Sequence, residues 1–285
     1  MRTLPKQLIQ LSTISLIVLS QVTLGLAQDY YFRRVPGDNE VIHRFNPKDQ
    51  TPLDHRSIRL LVWNLYKGDR ASWKRDFLQL SSNRDILLLQ EFYLNQQMET
   101  TFADLLEFDF ICATSFILKR YGKEISTGVA TAATSAPLSY RYLRSPDLEP
   151  IIKTPKMLLF TTYPLTGPQP QLLVVNIHGI NFVNSQALSR QLEQAAAEIE
   201  SFEGPVVFAG DFNTWSANKR EVLVAITKRL GMSEVLFSPD TRMLVLGRPV
   251  DYIYLRGLEA VNSKVYGDID GSDHFALAAE LKVSL

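Results

Sequence analysis

One cysteine, Cys112, stands alone in 285 residues, so an intrachain disulfide is excluded. It lies in an apolar run, Phe110-Ile111-Cys112-Ala113, with no basic neighbour to hold a thiolate, and it reads as a small buried hydrophobe rather than a nucleophile. Net charge is lacking as well. Thirty basic residues balance thirty acidic ones, so no overall field draws the chain onto nucleic acid or anionic lipid. That balance argues against an avid non-specific nucleic-acid binder and leaves room for an enzyme that engages phosphate transiently. There is no internal repeat and no low-complexity segment. Beyond the N-terminus no apolar run is long enough to cross a bilayer. The hydrophobic share, 46%, suffices for one full core in a chain of this length.

Residues 1–27 have the form of an export signal: Arg2 and Lys6 at the start, an apolar stretch from Leu8 to Leu26, and small residues in Gly25-Leu26-Ala27. The stretch is diluted by Gln10, Ser12, Thr13, Ser15, Ser20, Gln21 and Thr23, which favours cleavage over retention as an anchor. The expected location is periplasmic or secreted. Without Arg2 and Lys6 the mature chain carries 28 basic and 30 acidic residues. Residues 28–56 are polar and turn-rich, with Pro36-Gly37-Asp38-Asn39 and Asn46-Pro47, and read as an N-terminal arm or linker on the domain surface.

From residue 57 onward the pattern is that of one domain, 57–285. Buried strands are expected at Ile58–Trp63, Ile86–Leu89, Phe110–Ser115, Gly128–Thr134, Met157–Tyr163, Leu172–Ile177 and Val206–Ala209, and near 251–255, 260–266 and 275–284. Helical spacing joins Trp73, Phe77 and Leu80; Met98, Phe102 and Leu105; and Leu188, Leu192, Ala195, Ile199 and Phe202 behind a cap at Asn184 or Ser185. A further helix over 218–230 meets a stop at Gly231. Strands and helices mix without strict alternation. The predicted class is α/β, two packed mixed β-sheets flanked by helices, a four-layer sandwich.

Six apolar runs end in polar residues suited to phosphate or metal: Leu61-Val62-Trp63-Asn64, Leu88-Leu89-Gln90-Glu91, Val175-Asn176-Ile177-His178, Ala209-Gly210-Asp211-Phe212-Asn213, Pro249-Val250-Asp251-Tyr252 and Gly271-Ser272-Asp273-His274. Glu91, at a strand end, is the best direct ligand for a hard cation, with Asp273 as a second contact and Asn64 beside them; Mg²⁺ or Mn²⁺ needs only one or two such carboxylates. Asp211 and Asn213, two apart, can aim into one cavity, and Gly210 permits a close backbone approach.

In this order the segments resemble the endonuclease/exonuclease/phosphatase superfamily of Mg²⁺-dependent phosphoesterases, most specifically through Gly-Asp-Phe-Asn at 210–213 and Ser-Asp-His at 272–274, and within it a compact bacterial branch. The resemblance covers roughly residue 57 to the C-terminus. It implies that Asp211 orients or deprotonates the attacking water and that Asn213 bonds the phosphate or holds Asp211. It implies also that Asp251 and His274 pair, with His274 as a general base or a stabiliser of developing charge. A histidine at His178 matches the deoxyribonuclease, sphingomyelinase and inositol-polyphosphate phosphatase members, where it contacts the scissile phosphate or protonates the leaving oxygen. Members specialised for abasic-site repair generally lack it.

Asn176, on the same strand face as His178, together with Arg248 and Trp215, are candidate substrate contacts. The basic cluster Lys119, Arg120 and Lys123 reads as a solvated loop, and His43 and His55 receive no role. The expected activity is metal-dependent hydrolysis of a phosphodiester, nuclease-like first, with a phospholipid diesterase and a small phosphomonoesterase as alternatives. A phospholipid enzyme would carry an apolar protrusion for its membrane, and no inserted segment of that kind stands out. A non-catalytic binding protein on the same fold would have lost at least one of Glu91, Asp211, Asn213, Asp273 and His274, and none is missing. The expected partner is the phosphoester substrate alone, and the expected state is a monomer.

Overall fold

The computed structural model describes residues 33–120 and 122–284. The expected export signal, 1–27, lies outside the described residues. In chain order the strands are β1 (Arg33–Arg34), β2 (Ile42–Phe45), β3 (Ile58–Asn64), β4 (Ile86–Tyr93), β5 (Asp109–Arg120), β6 (Lys123–Ala133), β7 (Ser139–Arg144), β8 (Met157–Pro164), β9 (Gln171–His178), β10 (Val206–Asp211), β11 (Ser233–Glu234), β12 (Leu244–Val245), β13 (Arg248–Pro249), β14 (Asp251–Arg256), β15 (Leu258–Tyr266) and β16 (Ala276–Val283). The α-helices are α1 (Trp73–Ser81), α2 (Gln96–Asp104), α3 (Ser185–Glu200) and α4 (Ala217–Arg229).

Two mixed sheets pack face to face. One runs β1-β5-β6-β4-β3-β16-β15, with β2 also on β5; the other runs β11-β14-β10-β9-β8-β7. The central strands are apolar on both faces because both faces are covered. Leu60, Val62 and Leu88 point into the core between the sheets, against Val174, Val207, Ala209 and Ile253. Their neighbours Leu61, Trp63, Leu87 and Leu89 point outward under α1 and α2, against Trp73, Phe77, Met98 and Phe102. Leu188, Leu192, Ile199, Leu223 and Ile226 of α3 and α4 cover Val175, Val206 and Phe208 on the far side of the second sheet. This is the expected four-layer sandwich.

Local signals set the helix starts. Asn95 Oδ1 accepts from Met98 N at 2.9 Å, Asn184 Oδ1 from Ala187 N at 3.0 Å, and Ser216 Oγ from Lys219 N at 3.4 Å. Gly231, at φ 65°, stands just past α4 as expected.

Residues 33–45, expected to lie on the surface, instead enter the first sheet. β2 pairs with β5 from Ile42↔Ala113 to Phe45↔Phe110, and Val41 is fully buried. A two-residue and a four-residue strand are too short to show an alternating pattern, and their hydrogen bonds are made to β5, far downstream, as in Arg33↔Leu118 and Phe45↔Phe110.

Candidate active site

Strand register assembles most of the site. β10 lies between β9, parallel to it, and β14, antiparallel, with Asp211 directly opposite both His178 and Asp251. In the other sheet β3 and β4 are parallel, with Asn64 beside Gln90, so Glu91 emerges one residue later at the same end. The loop before β16 is fastened over that end: Ser272 Oγ donates to Asn64 O at 2.7 Å, His274 N to Ser272 Oγ at 3.1 Å, and Trp63 Nε1 to His274 O at 2.9 Å. The result is a pocket of about 300 Å³ between the strand ends of the two sheets, lined by Asn64, Glu91, His178, Asp211, Asn213, Asp273 and His274.

Asp211 is buried and receives Asn64 Nδ2 at 3.1 Å, Asn213 N at 2.9 Å and Asn213 Nδ2 at 3.3 Å. Burial raises its carboxyl above the usual range, and the Asp251 charge adds to that against the opposing effect of His274. Asn213 also donates to Gly179 O at 2.9 Å, and its own φ of 52° is left-handed, so this turn is held in a strained form by its hydrogen bonds. Behind the turn the buried Lys219 ammonium lies 3.4 Å from both Asn213 O and Ile180 O and 4.6 Å from the Trp215 ring.

His274 Nδ1 bonds Asp251 Oδ2 at 2.8 Å, and its Nε2 lies 4.0 Å from Asp211 Oδ2. Burial would lower its pKa, but the Asp251 and Asp211 carboxylates outweigh burial and raise it to about 10, so the ring is cationic at neutral pH. His178 is the opposite case. Burial and the Lys156 charge push it well below its ordinary value, so it is neutral, with Nε2 3.5 Å from Asp211 Oδ2 and 3.9 Å from Glu91 Oε1. Two histidines in one pocket thus hold different charge states.

Glu91, at φ 52°, turns its carboxylate into the pocket, where Oε2 accepts from Lys67 Nζ at 2.8 Å. Burial opposes its ionisation, but the Lys67 and Lys156 charges outweigh it and hold the pKa down at about 2. Asp273 stands exposed at the open edge, where its Oδ1 accepts from Ser272 Oγ at 3.4 Å. Partial burial raises its carboxyl, and the Glu91 charge contributes in the same direction. Two anionic oxygen donors that repel each other across a polar pocket fit a hard divalent cation. Glu91 and Asp273 would hold it. Asp211, Asp251 and His274 also bring ligand atoms within 4.8 Å of one another, but there the imidazole already bonds one carboxylate and faces the other.

Several expected positions fall elsewhere. Asn64 directs its amide nitrogen to Asp211 and its oxygen to Tyr66 N at 3.0 Å, so it orients the carboxylate rather than reaching Glu91. Asn176 is fully buried and joins the two sheets: its Oδ1 accepts from Gln90 Nε2 at 2.7 Å, and its Nδ2 donates to Leu89 O and Ala130 O, which leaves no face for substrate. Trp215 donates to Asn181 Oδ1 at 2.8 Å and Arg248 to Leu246 O at 3.3 Å, and neither lines the pocket. Lys119 and Lys123 lie on the β5–β6 hairpin and are exposed.

Four charged lining residues carried no signal in the sequence: Arg33, Lys67, Glu149 and Lys156. Lys156 Nζ lies 3.6 Å from Glu149 Oε1, which also accepts from Asn181 N at 3.2 Å. Isolated loop residues have neither period nor motif, and only the closure of the loops over the pocket identifies them.

The chain matches the Endonuclease/Exonuclease/phosphatase family over residues 61–274. It is 36% identical over 233 residues to a UPF0294 protein of Photorhabdus laumondii, covering 79% of this chain and 84% of that one. In fold it resembles an endonuclease/exonuclease/phosphatase protein of Beutenbergia cavernae (TM-score 0.63, 16% identity, 80% of this chain and 72% of that one). It also resembles D. rerio TDP2 solved with a single-strand DNA product (TM-score 0.55, 15% identity, 80% of this chain and 99% of that one).

Proposed function

Because the chain belongs to the Endonuclease/Exonuclease/phosphatase family, whose members are generally phosphoester hydrolases, we propose that it is a divalent-metal-dependent hydrolase of phosphodiester bonds. One observation carries this reading: carboxylates, two amides, one cationic and one neutral histidine, drawn from both sheets, surround a single pocket. Glu91 and Asp273 would hold a Mg²⁺ or Mn²⁺ ion, which would supply Lewis-acid neutralisation of phosphate oxygens. Asp211, oriented by Asn64 and Asn213 and raised by burial, accepts the proton of the attacking water. Cationic His274, braced by Asp251, offsets the negative charge that grows on the phosphoryl oxygens. Neutral His178 hydrogen-bonds a phosphate oxygen, and Lys67 and Lys156 balance the charge of the bound group.

Bis-p-nitrophenyl phosphate, plasmid DNA, RNA and sphingomyelin, each assayed with Mg²⁺ or Mn²⁺ and again with chelator, test the proposal. Metal-dependent turnover of at least one diester is expected, and silence on all of them sinks it. Glu91→Gln keeps the shape but removes the charge facing Lys67, so the metal concentration for half-maximal activity should rise by about tenfold or more with the thermal midpoint little changed. An unaltered metal requirement removes Glu91 from the metal site. His274→Ala should lower kcat by about 10²-fold; an unchanged kcat takes His274 out of the mechanism. The signal-like N-terminus further supports export from the cytoplasm. Cell fractionation should recover the protein outside the cytosolic fraction, and recovery within it contradicts export.

A further inference from the structure

The rim of the pocket is more apolar than a soluble phosphoester needs. Ile151 is 70% exposed and Leu148 48%, both on the 145–156 loop that carries Glu149 and Lys156 into the pocket. Phe182, 69% exposed on the loop after β9, lines the pocket directly. Leu244 at 57% and Leu246 at 74% stand on the β12–β13 hairpin. That hairpin leads straight into Asp251, and Thr214 Oγ1 and Phe212 N hold its far end, through Pro249 O and Val250 O, beside the Asp211 turn. Three separate loops at the catalytic end therefore each present large apolar side chains to solvent, an arrangement that marks an interaction surface.

The charges around these side chains narrow the partner. Lys153 is exposed on the Ile151 loop, Arg70 is exposed on the loop after β3, and Arg33 and Lys67 line the pocket wall. The acids of the 145–156 loop are already committed, Asp147 to Arg190 at 2.7 Å and Glu149 to Lys156. Exposed aliphatic and aromatic tips interspersed with the exposed cations Lys153 and Arg70, around a pocket built for phosphate, match the acyl and headgroup layers of a bilayer.

We propose that the rim formed by Leu148, Ile151, Phe182, Leu244 and Leu246 docks on a lipid bilayer and that the pocket receives a phosphoester presented at that surface. The substrate class rests on the phosphoesterase reading; the docking does not. This places a phospholipid ahead of a polynucleotide, the reverse of the order expected from the sequence. The apolar protrusion that no inserted segment announced is assembled from short loops.

Because the one native cysteine is buried, single cysteines introduced in the full chain can each carry one environment-sensitive fluorophore. Leu246→Cys and Ile151→Cys report on the rim. Leu106→Cys is the control, since Leu106 is 70% exposed near Asp109, which pairs with Ala133 at the opposite end of the first sheet. Vesicles of phosphatidylcholine mixed with phosphatidylglycerol should blue-shift the two rim labels and shield them from an aqueous quencher, and leave the control unchanged. No response, or an equal response at all three positions, overturns docking. Rim labels already shielded before vesicles are added mean that the chain's own N-terminus covers the rim, and this overturns it too.

The double variant Ile151→Asp, Leu246→Asp adds a second arm. Its turnover of a phospholipid in vesicles should fall by about tenfold or more, with bis-p-nitrophenyl phosphate turnover held within about twofold. Equal losses on both substrates overturn the rim's separate role. Wild type inactive on both substrates defeats the phosphoesterase reading, while the fluorophores still decide docking.

Discussion

Asp211→Asn should lower kcat by about 10³-fold or more, a barrier rise of about 4 kcal/mol, with little change in melting temperature. The substitution is nearly isosteric, so Phe212 and the packing beneath it are undisturbed. What changes is the polarity of one atom set. Asp211 accepts from Asn64 Nδ2, Asn213 N and Asn213 Nδ2 and faces His178 and His274 at 3.5 and 4.0 Å. An amide can present its oxygen to some of these donors but must then turn its own NH₂ toward others, and it cannot take a proton from water. His274 also loses one of the two carboxylates that hold it cationic. Base strength and charge stabilisation therefore fail together. A variant retaining more than about a tenth of wild-type kcat, measured with metal saturating, would show that Asp211 is not the proton acceptor.

The second large effect is on stability. Gly210→Ala should cost about 3 kcal/mol or more and lower the melting temperature by about 6 °C or more. Gly210 has φ 139°, a conformation open essentially to glycine alone, and a β-carbon there would lie 2.1 Å from Ile177 O, the residue paired with it across β9. No side chain can rotate away to make room, because the obstacle is backbone inside a packed sheet. Gly231→Ala is the comparison. Its φ of 65° is also left-handed, but nothing lies within 4 Å of the added carbon, so about 1 kcal/mol is expected. Equal destabilisation by the two substitutions in chemical denaturation would mean that backbone strain alone, and not the collision with β9, governs Gly210. The same glycine lets β9 and β10 approach closely where His178 and Asp211 must meet, so stability and site geometry share one residue.

Much of this could be read along the chain because burial has a local period. Ile58–Asn64, Ile86–Tyr93 and Val206–Asp211 are apolar at consecutive positions because both sheet faces are covered, and the first polar residues after such runs mark where the strands leave the core. That is why Asn64, Glu91, His178, Asp211 and the Asp273–His274 pair could be named beforehand and why they share one pocket. The side-chain facing of Asn176 was equally local, since it alternates with Ile177, but the meaning of that face was not. The inward side of β9 at that depth meets Gln90 and the backbone of the other sheet rather than solvent. Arg33, Lys67, Glu149 and Lys156 belong to loops and a short strand whose directions depend on contacts remote in sequence, and so does the apolar rim.

The sequence by itself determined the layers, the strand ends and the candidate site residues, because continuous apolar runs, the polar residues that end them and the resemblance to a known family are all legible over a few positions. The tertiary structure alone decided which histidine is charged, which amide serves Asp211 and which loop cations and apolar tips surround the pocket. Those properties arise from distances of 3–4 Å between residues dozens to hundreds of positions apart, and only the packing of one sheet on the other sets such distances.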